Sequence, residues 1–181
     1  MIEVEYIDHM GDDLTVVNAA RVSFGKKSKY ECVDLIKGRW EVKDADKKLI
    51  WYLAEHDHKS PFNHAFATFH VKAPIFVARQ LQKHEYMPWN EISRRYVDSD
   101  PEFYEPQEWR GRAEDKKQGS DGIVFISDDI VEDLYDDIFA RYKLLLDLGV
   151  CPEQARMILP QSTMTEWYWS GSLFAFAKMC S

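Results

Sequence analysis

Cysteine is scarce: Cys32, Cys151 and Cys180 are the three in the chain, they are scattered, and no CxxC occurs. An odd, unclustered set argues against a disulfide framework and against a thiolate zinc site, and it fits a reducing compartment such as the cytoplasm. Long apolar runs are missing as well. Nothing approaches the roughly 18 residues a membrane span needs, and the opening MIEVEYIDHMGDD lacks the basic segment and apolar core of a signal peptide. There is no surplus of positive charge, because 23 Lys and Arg face 31 Asp and Glu for a net charge of −8. Nucleic-acid binding rests on neutralising phosphates with excess cations, so no nucleic acid is an expected partner, whereas a small anion needs only a local cluster. Neither GxGxxG nor GxxxxGK[ST] occurs, which removes the Rossmann fingerprint and the P-loop. HExxH is absent too, and His56, His58, His64 and His70 fall at no zinc spacing, so no metal is expected.

What is present is a globular balance: 45% apolar, 30% charged and 14% aromatic residues in 181 positions, enough for one domain over residues 1–181 with a single core. Ile2 to Ile7 alternate apolar and charged, as a half-buried strand does, and Asp12 or Asp13 can cap a helix through Val16, Val17 and Ala20. Asp44 is placed to cap a helix through Leu49, Ile50 and Leu53, and Asn63 to Lys72 reads as a buried strand. Pro74 suits the first turn of a helix continuing through IFVARQLQKHE, on which Arg79, Gln80, Lys83 and His84 fall in one polar stripe. Asp98 to Ile126 is charged, aperiodic and read as an exposed excursion prone to disorder. Ser127 opens a long helix with apolar positions Ile130, Val131, Leu134, Ile138, Tyr142 and Leu145, ended by Gly149. Pro152 starts a short helix carrying Arg156, STMTEWYW is strand-like, and a last helix begins near Ser170 or Ser172. Helices and strands mix without regular βαβ spacing, so the predicted class is α+β with a largely antiparallel sheet flanked by helices.

The densest chemical constellation is RQLQKHEYMPWNEISRRY, residues 79–96, where four basic side chains and His84 stand beside Asn90, Glu91 and Ser93. Arg and Lys offer charge-assisted donors to phosphate, while amides and hydroxyls read the polar edge of a base, so the set suits a nucleotide pocket. On spacing alone a solvated helix followed by a polar turn is the better explanation.

Four blocks, AARVSF at 19–24, HDHKSPFNHAFATFHVKAPIFVARQ at 56–80, NEISRRY at 90–96 and EQARMILPQSTMTEWYW at 153–169, resemble flavin-dependent thymidylate synthases in order and separation. The resemblance implies a homotetramer with FAD and dUMP bound where subunits meet. It implies methylenetetrahydrofolate as carbon donor and NADPH as the reductant of the flavin, which then supplies hydride. By position, Gln80, Lys83, Glu91, Ser93, Arg94, Arg95 and Arg156 match dUMP-binding residues. Ser23, Ser60, Asn63, Lys83, His84, Glu85, Glu91, Ser172 and Lys178 match flavin-site positions, and Ser93, Arg95 and His84 are the implied catalytic groups. Flavin-free thymidylate synthases attack dUMP through a cysteine that follows proline, whereas here Cys151 precedes Pro152.

The chain departs from that family in three places. The usual Arg-His-Arg is Lys83-His84-Glu85, which reverses one charge, Pro88 replaces a common serine, and Lys178 stands where an asparagine often touches the flavin. The family also continues past the position of Ser181 through a further arginine and histidine, so the chain is expected to lack the family's C-terminal segment, either through truncation or with its pocket completed differently. These changes leave a second reading, a relative that binds flavin or nucleotide without turnover.

Overall fold

The computed structural model describes residues 1–97, 99–115, 119–127 and 129–180. Strand β1 (Glu3–Met10) leads to helix α1 (Asp13–Arg21), a hairpin of β2 (Glu31–Asp34) and β3 (Arg39–Glu41), and helix α2 (Asp44–Glu55). Strand β4 (Phe66–Pro74) runs into α3 (Ile75–Leu81), followed by β5 (Trp89–Glu91) and the pair β6 (Arg110–Arg112) and β7 (Ser120–Ile123). Helices α4 (Asp129–Asp147) and α5 (Pro152–Ala155), strand β8 (Met164–Ser172) and helix α6 (Leu173–Met179) complete the order. The main sheet has the strand order β1-β4-β8-β5, while β2 with β3 and β6 with β7 form separate antiparallel pairs. The α+β class stands.

The chain divides into two compact units. The first comprises Met1–Glu3, Lys72–Leu81 and Glu91–Glu166; the second comprises Val4–Val71, Gln82–Asn90 and Trp167–Ser181. Strand β4 carries the chain out of the second unit at Lys72, and β8 carries it back at Trp167.

The second unit buries Val16, Val17, Leu53, Val71, Met87, Trp167 and Trp169. Trp89 stacks on Trp167 with ring centroids 4.3 Å apart and planes 16° from parallel, and Phe176 meets Phe69 and Trp169 edge-on. Asp12 caps α1 by accepting from Thr15 N at 2.9 Å, as expected. Ser172 caps α6 by accepting from Ala175 N at 3.1 Å. Asp46 is fully buried at the start of α2. It receives Arg21 Nε at 2.9 Å and Ser28 Oγ at 3.0 Å, while Asn18 Oδ1 holds Ser28 N at 2.7 Å. Those bonds pin both ends of the Val22–Lys27 stretch that carries Ser23.

In the first unit, the orphan donors that open α3 are satisfied from outside it: Ile75 N donates to Thr163 O and Phe76 N to Gln161 O. Phe103 stacks on Tyr135 at 4.7 Å, and Tyr142 of α4 is buried. Gly149 ends α4 with φ +83, its N–H donating to Leu146 O.

Several local expectations change. All eight residues of β1 are exposed in the single chain, where alternation predicted a half-buried strand; β1 is an edge of the sheet. Lys43, not Asp44, is the residue before α2, and it makes no side-chain cap. Residues 60–64 form a 3₁₀ turn, so β4 begins at Phe66 rather than near Asn63. Pro74 closes β4 instead of opening α3. The 98–126 stretch holds the β6–β7 pair, although Asp98 and residues 116–118 lie outside the described residues. Residue 128 also lies outside them, and Ser127 Oγ donates to the Asp129 carboxylate at the start of α4. Of the apolar positions expected to bury on α4 only Tyr142 does, while Ile130 and Leu134 are exposed.

Candidate functional site

Helix α3 ends at Leu81, well before the end of the periodic stretch that predicted it. Pro88 lies ahead, and a proline biases the residue before it toward extended backbone. Between them residues 82–86 turn, with Tyr86 at φ 59. Lys83 and His84 therefore sit in a turn and do not share a helical face with Arg79 and Gln80.

That turn forms one wall of a cavity of about 620 Å³ within the second unit. Lys83, His84 and Glu85 line it from the turn, Asn63 from the 3₁₀ segment, and Ser172 and Lys178 from the cap and last turn of α6. Six of the nine expected flavin-site positions thus meet around one space. Ser172 is buried, and its hydroxyl donates to Asn63 Oδ1 at 2.7 Å while accepting from Ala175 N. The Asn63 oxygen is thereby engaged, leaving its NH₂ group to donate. A donor-rich wall of amide, ammonium and imidazole groups fits the carbonyl-rich edge of a flavin ring. Lys59, Tyr86 and Phe174 also line this cavity, and the family pattern did not single them out.

Ser23 and Ser60 line a second cavity of the same unit, about 650 Å³, with Arg21, Lys26, Tyr52 and His58. A third, mostly apolar cavity of about 800 Å³ adjoins both: it shares Leu53 and His58 with the Ser23 cavity, and Lys59, Phe174 and Lys178 with the His84 cavity. Eight of the nine expected flavin-site positions, all but Glu91, therefore lie along one string of cavities.

Glu91 and most of the expected nucleotide residues belong to the first unit. Glu91 Oε1 accepts from the buried Thr165 Oγ1 at 2.8 Å. Ser93 Oγ accepts from Arg95 Nε at 3.3 Å, and the Arg95 guanidinium lies 5.1 Å from the Tyr96 ring centroid, so the serine and arginine form a pair. Arg94 donates through Nη1 to Ser99 O at 2.9 Å. Arg156 is exposed just past α5, its Nε donating to Glu153 O at 3.2 Å, and Gln80 is exposed on α3. No group of three His, Cys, Asp or Glu able to hold a metal occurs among the described residues, and none of the described helices is long and apolar enough to cross a membrane.

Residues 5–181 match the family described as thymidylate synthase complementing protein. The flavin-dependent thymidylate synthase of Thermosipho africanus is 41% identical over 172 residues, which cover 91% of this chain and 69% of the relative. That of Thermus thermophilus is 41% identical over 181 residues, covering 97% of this chain and 63% of the relative. This chain therefore spans about two thirds of the length of the relatives it matches. Among solved structures, a UMP/dUMP methylase, PolB, from Streptomyces cacaoi, bound with 5-Br UMP, superposes with TM-score 0.78 at 32% identity, over 97% of this chain and 73% of that one. With a matching family profile across nearly its whole length, and with relatives and a solved fold agreeing, the chain belongs to the flavin-dependent thymidylate synthase family.

Proposed function

We propose that this chain reductively methylates dUMP to dTMP in the cytoplasm, with methylenetetrahydrofolate as carbon donor and NADPH as reductant. The observation that carries the reading is the meeting of Asn63, Lys83, His84, Glu85, Ser172 and Lys178 around one cavity, although they come from sequence positions more than a hundred residues apart. When bound there, reduced FAD supplies the hydride. His84 would face the ring, Lys83 and the Asn63 amide would donate to its polar edge, and buried Ser172 holds Asn63 in place. Arg95 and Arg156 neutralise the dUMP phosphate. Ser93, tied to Arg95, orients the pyrimidine, and Gln80, Arg94 and Glu91 complete the nucleotide contacts. No cysteine acts as nucleophile; the pyrimidine is activated by position and polarisation.

The working form is a homotetramer, and residues 1–181 act as one functional domain. Exposed Ile130, Leu134 and Leu144 on α4, with Leu148 in the turn that follows it, support the assembly. At about 100° per residue the three on α4 fall within an arc of about 80°, an apolar stripe of the kind that marks an association surface. The test is direct: purified protein is examined by size exclusion with flavin absorbance, then assayed for dTMP with NADPH, FAD and methylenetetrahydrofolate. A colourless monomer that stays apo after FAD is added would defeat the reading.

Glu85 supports a second reading, a binder without turnover, because it puts an anion into a cavity where the family usually has a cation. NADPH that bleaches the bound flavin while no dTMP forms would select it.

A further inference from the structure

We propose that Lys59 is a cofactor-binding residue that pairs with the diphosphate of FAD; the inference rests on the flavin reading above. The cavity around His84 is lined by three ammonium groups, Lys59, Lys83 and Lys178, against the single carboxylate of Glu85. Without Lys59 that excess would fall by half, in a chain that has given up a cation at position 85. Lys59 also lines the neighbouring apolar cavity, so its side chain stands at the junction of two spaces in the string that runs toward Ser60 and Ser23. A ligand with an aromatic ring at one end and a second group at the other must pass its linker through that junction. In FAD the linker is the diphosphate.

The present contacts of Lys59 are weak ones. Nζ lies 3.0 Å from Asp57 Oδ2, and the two side chains are 51% and 73% exposed. It also lies 5.4 Å from the centroid of the Phe174 ring. An exposed lysine–carboxylate pair contributes about fivefold or less to any equilibrium, whereas a charge-assisted contact to a more highly charged diphosphate is worth roughly tenfold or more. Exchange of Asp57 for the cofactor is therefore downhill, while the ammonium stays beside Phe174, near the floor that both cavities share. Asp57 is held at φ 57, a left-handed conformation that asparagine also tolerates, so its charge can be removed without changing the backbone demand.

The experiment titrates the full chain with FAD and, separately, with riboflavin, which has the ring and no phosphate, following flavin fluorescence. In Lys59→Gln, FAD affinity is expected to fall about tenfold while riboflavin affinity stays at the parent value, and Lys59→Arg is expected to recover most of the loss. Asp57→Asn is expected to bind FAD more tightly than the parent. Equal FAD affinity in the parent and Lys59→Gln overturns the assignment, as does a parallel loss of riboflavin affinity. An Asp57→Asn variant no tighter than the parent overturns the exchange. A parent that binds neither ligand brings down the flavin reading itself, a result distinct from the others.

Discussion

Ser172 Oγ lies 2.7 Å from Asn63 Oδ1, joining residues 109 positions apart, and the same oxygen caps α6 through Ala175 N. One hydroxyl therefore both starts a helix and orients an amide in the candidate flavin cavity.

Ser172→Ala removes both contacts. The lost cap costs about 1 kcal/mol, to be read as a lower urea midpoint at unchanged slope, and FAD affinity is expected to fall in the same variant. Ser172→Thr, which keeps the acceptor, should retain the cap. If Ser172→Ala binds FAD as well as the parent does, Asn63 does not depend on this serine.

Asp46 and Arg21 form an asymmetric pair. The Asp46 side chain is 1% exposed and that of Arg21 26%. Removing the arginine strands a buried anion, while neutralising the aspartate leaves a cation that still reaches water. Arg21→Ala should therefore cost more than Asp46→Asn, about 3 kcal/mol against a smaller loss. Chemical denaturation of both variants decides the order, and the reverse order would show that Arg21 contributes little to solvating Asp46.

The hydrogen bond from Tyr30 to Asp12 sets a pH range for α1. Tyr30 Oη lies 2.6 Å from Asp12 Oδ2; that bond, with those from Thr15, holds the Asp12 carboxyl below its ordinary value of 3.8, and the Tyr30 phenol is pushed up to about 12. For Asp12 the folded value is the lower one, so its stabilisation is present above the ordinary carboxylate range and fades as pH falls through the depressed value. For Tyr30 the folded value is the higher one, so its share is full below the ordinary 10.0 and is lost on approach to about 12. The stability of Tyr30→Phe measured against pH should lie a constant interval below the parent from neutral pH to 10, and that gap should close between 10 and about 12. A constant gap across the alkaline range would refute the bond.

Arg95→Ala and Arg156→Ala are each expected to weaken dUMP binding by about 1.5–3 kcal/mol, the usual loss for a hydrogen bond to a charged group. Both residues are exposed, so thermal stability should barely move. Calorimetry showing parent affinity in both variants would remove them from the phosphate site.

Much of this architecture can be read from local chemistry. Asp12, Gly149 and Pro152 mark helix ends because capping and φ restriction act within a few residues. The family resemblance points to Asn63, His84 and Ser172, which line one cavity. Other features depend on tertiary terms that a periodic pattern does not carry. The pattern through Arg79, Gln80, Lys83 and His84 continues past Leu81, yet the backbone turns there. Trp89, just beyond that stretch, stacks on Trp167, and no count of residues per turn reports a partner 78 positions away. Alternation in β1 and apolar spacing on α4 were read as burial, but both describe faces that the single chain leaves open. In the sequence Lys59 resembles any solvated charge beside a proline turn, and only the cavities on either side of it set it apart.

The near-parallel Trp89 and Trp167 rings have an optical consequence. Trp89 also meets Trp169 at 5.9 Å and 70°, and indoles this close and mutually inclined couple their far-ultraviolet transitions into a pair of circular dichroism bands of opposite sign. Six tryptophans would otherwise give a featureless sum. The couplet should vanish in Trp89→Phe while helical ellipticity persists. In the parent it acts as a built-in gauge of whether the short strand that follows the Lys83–Tyr86 turn is docked, readable without any label or ligand.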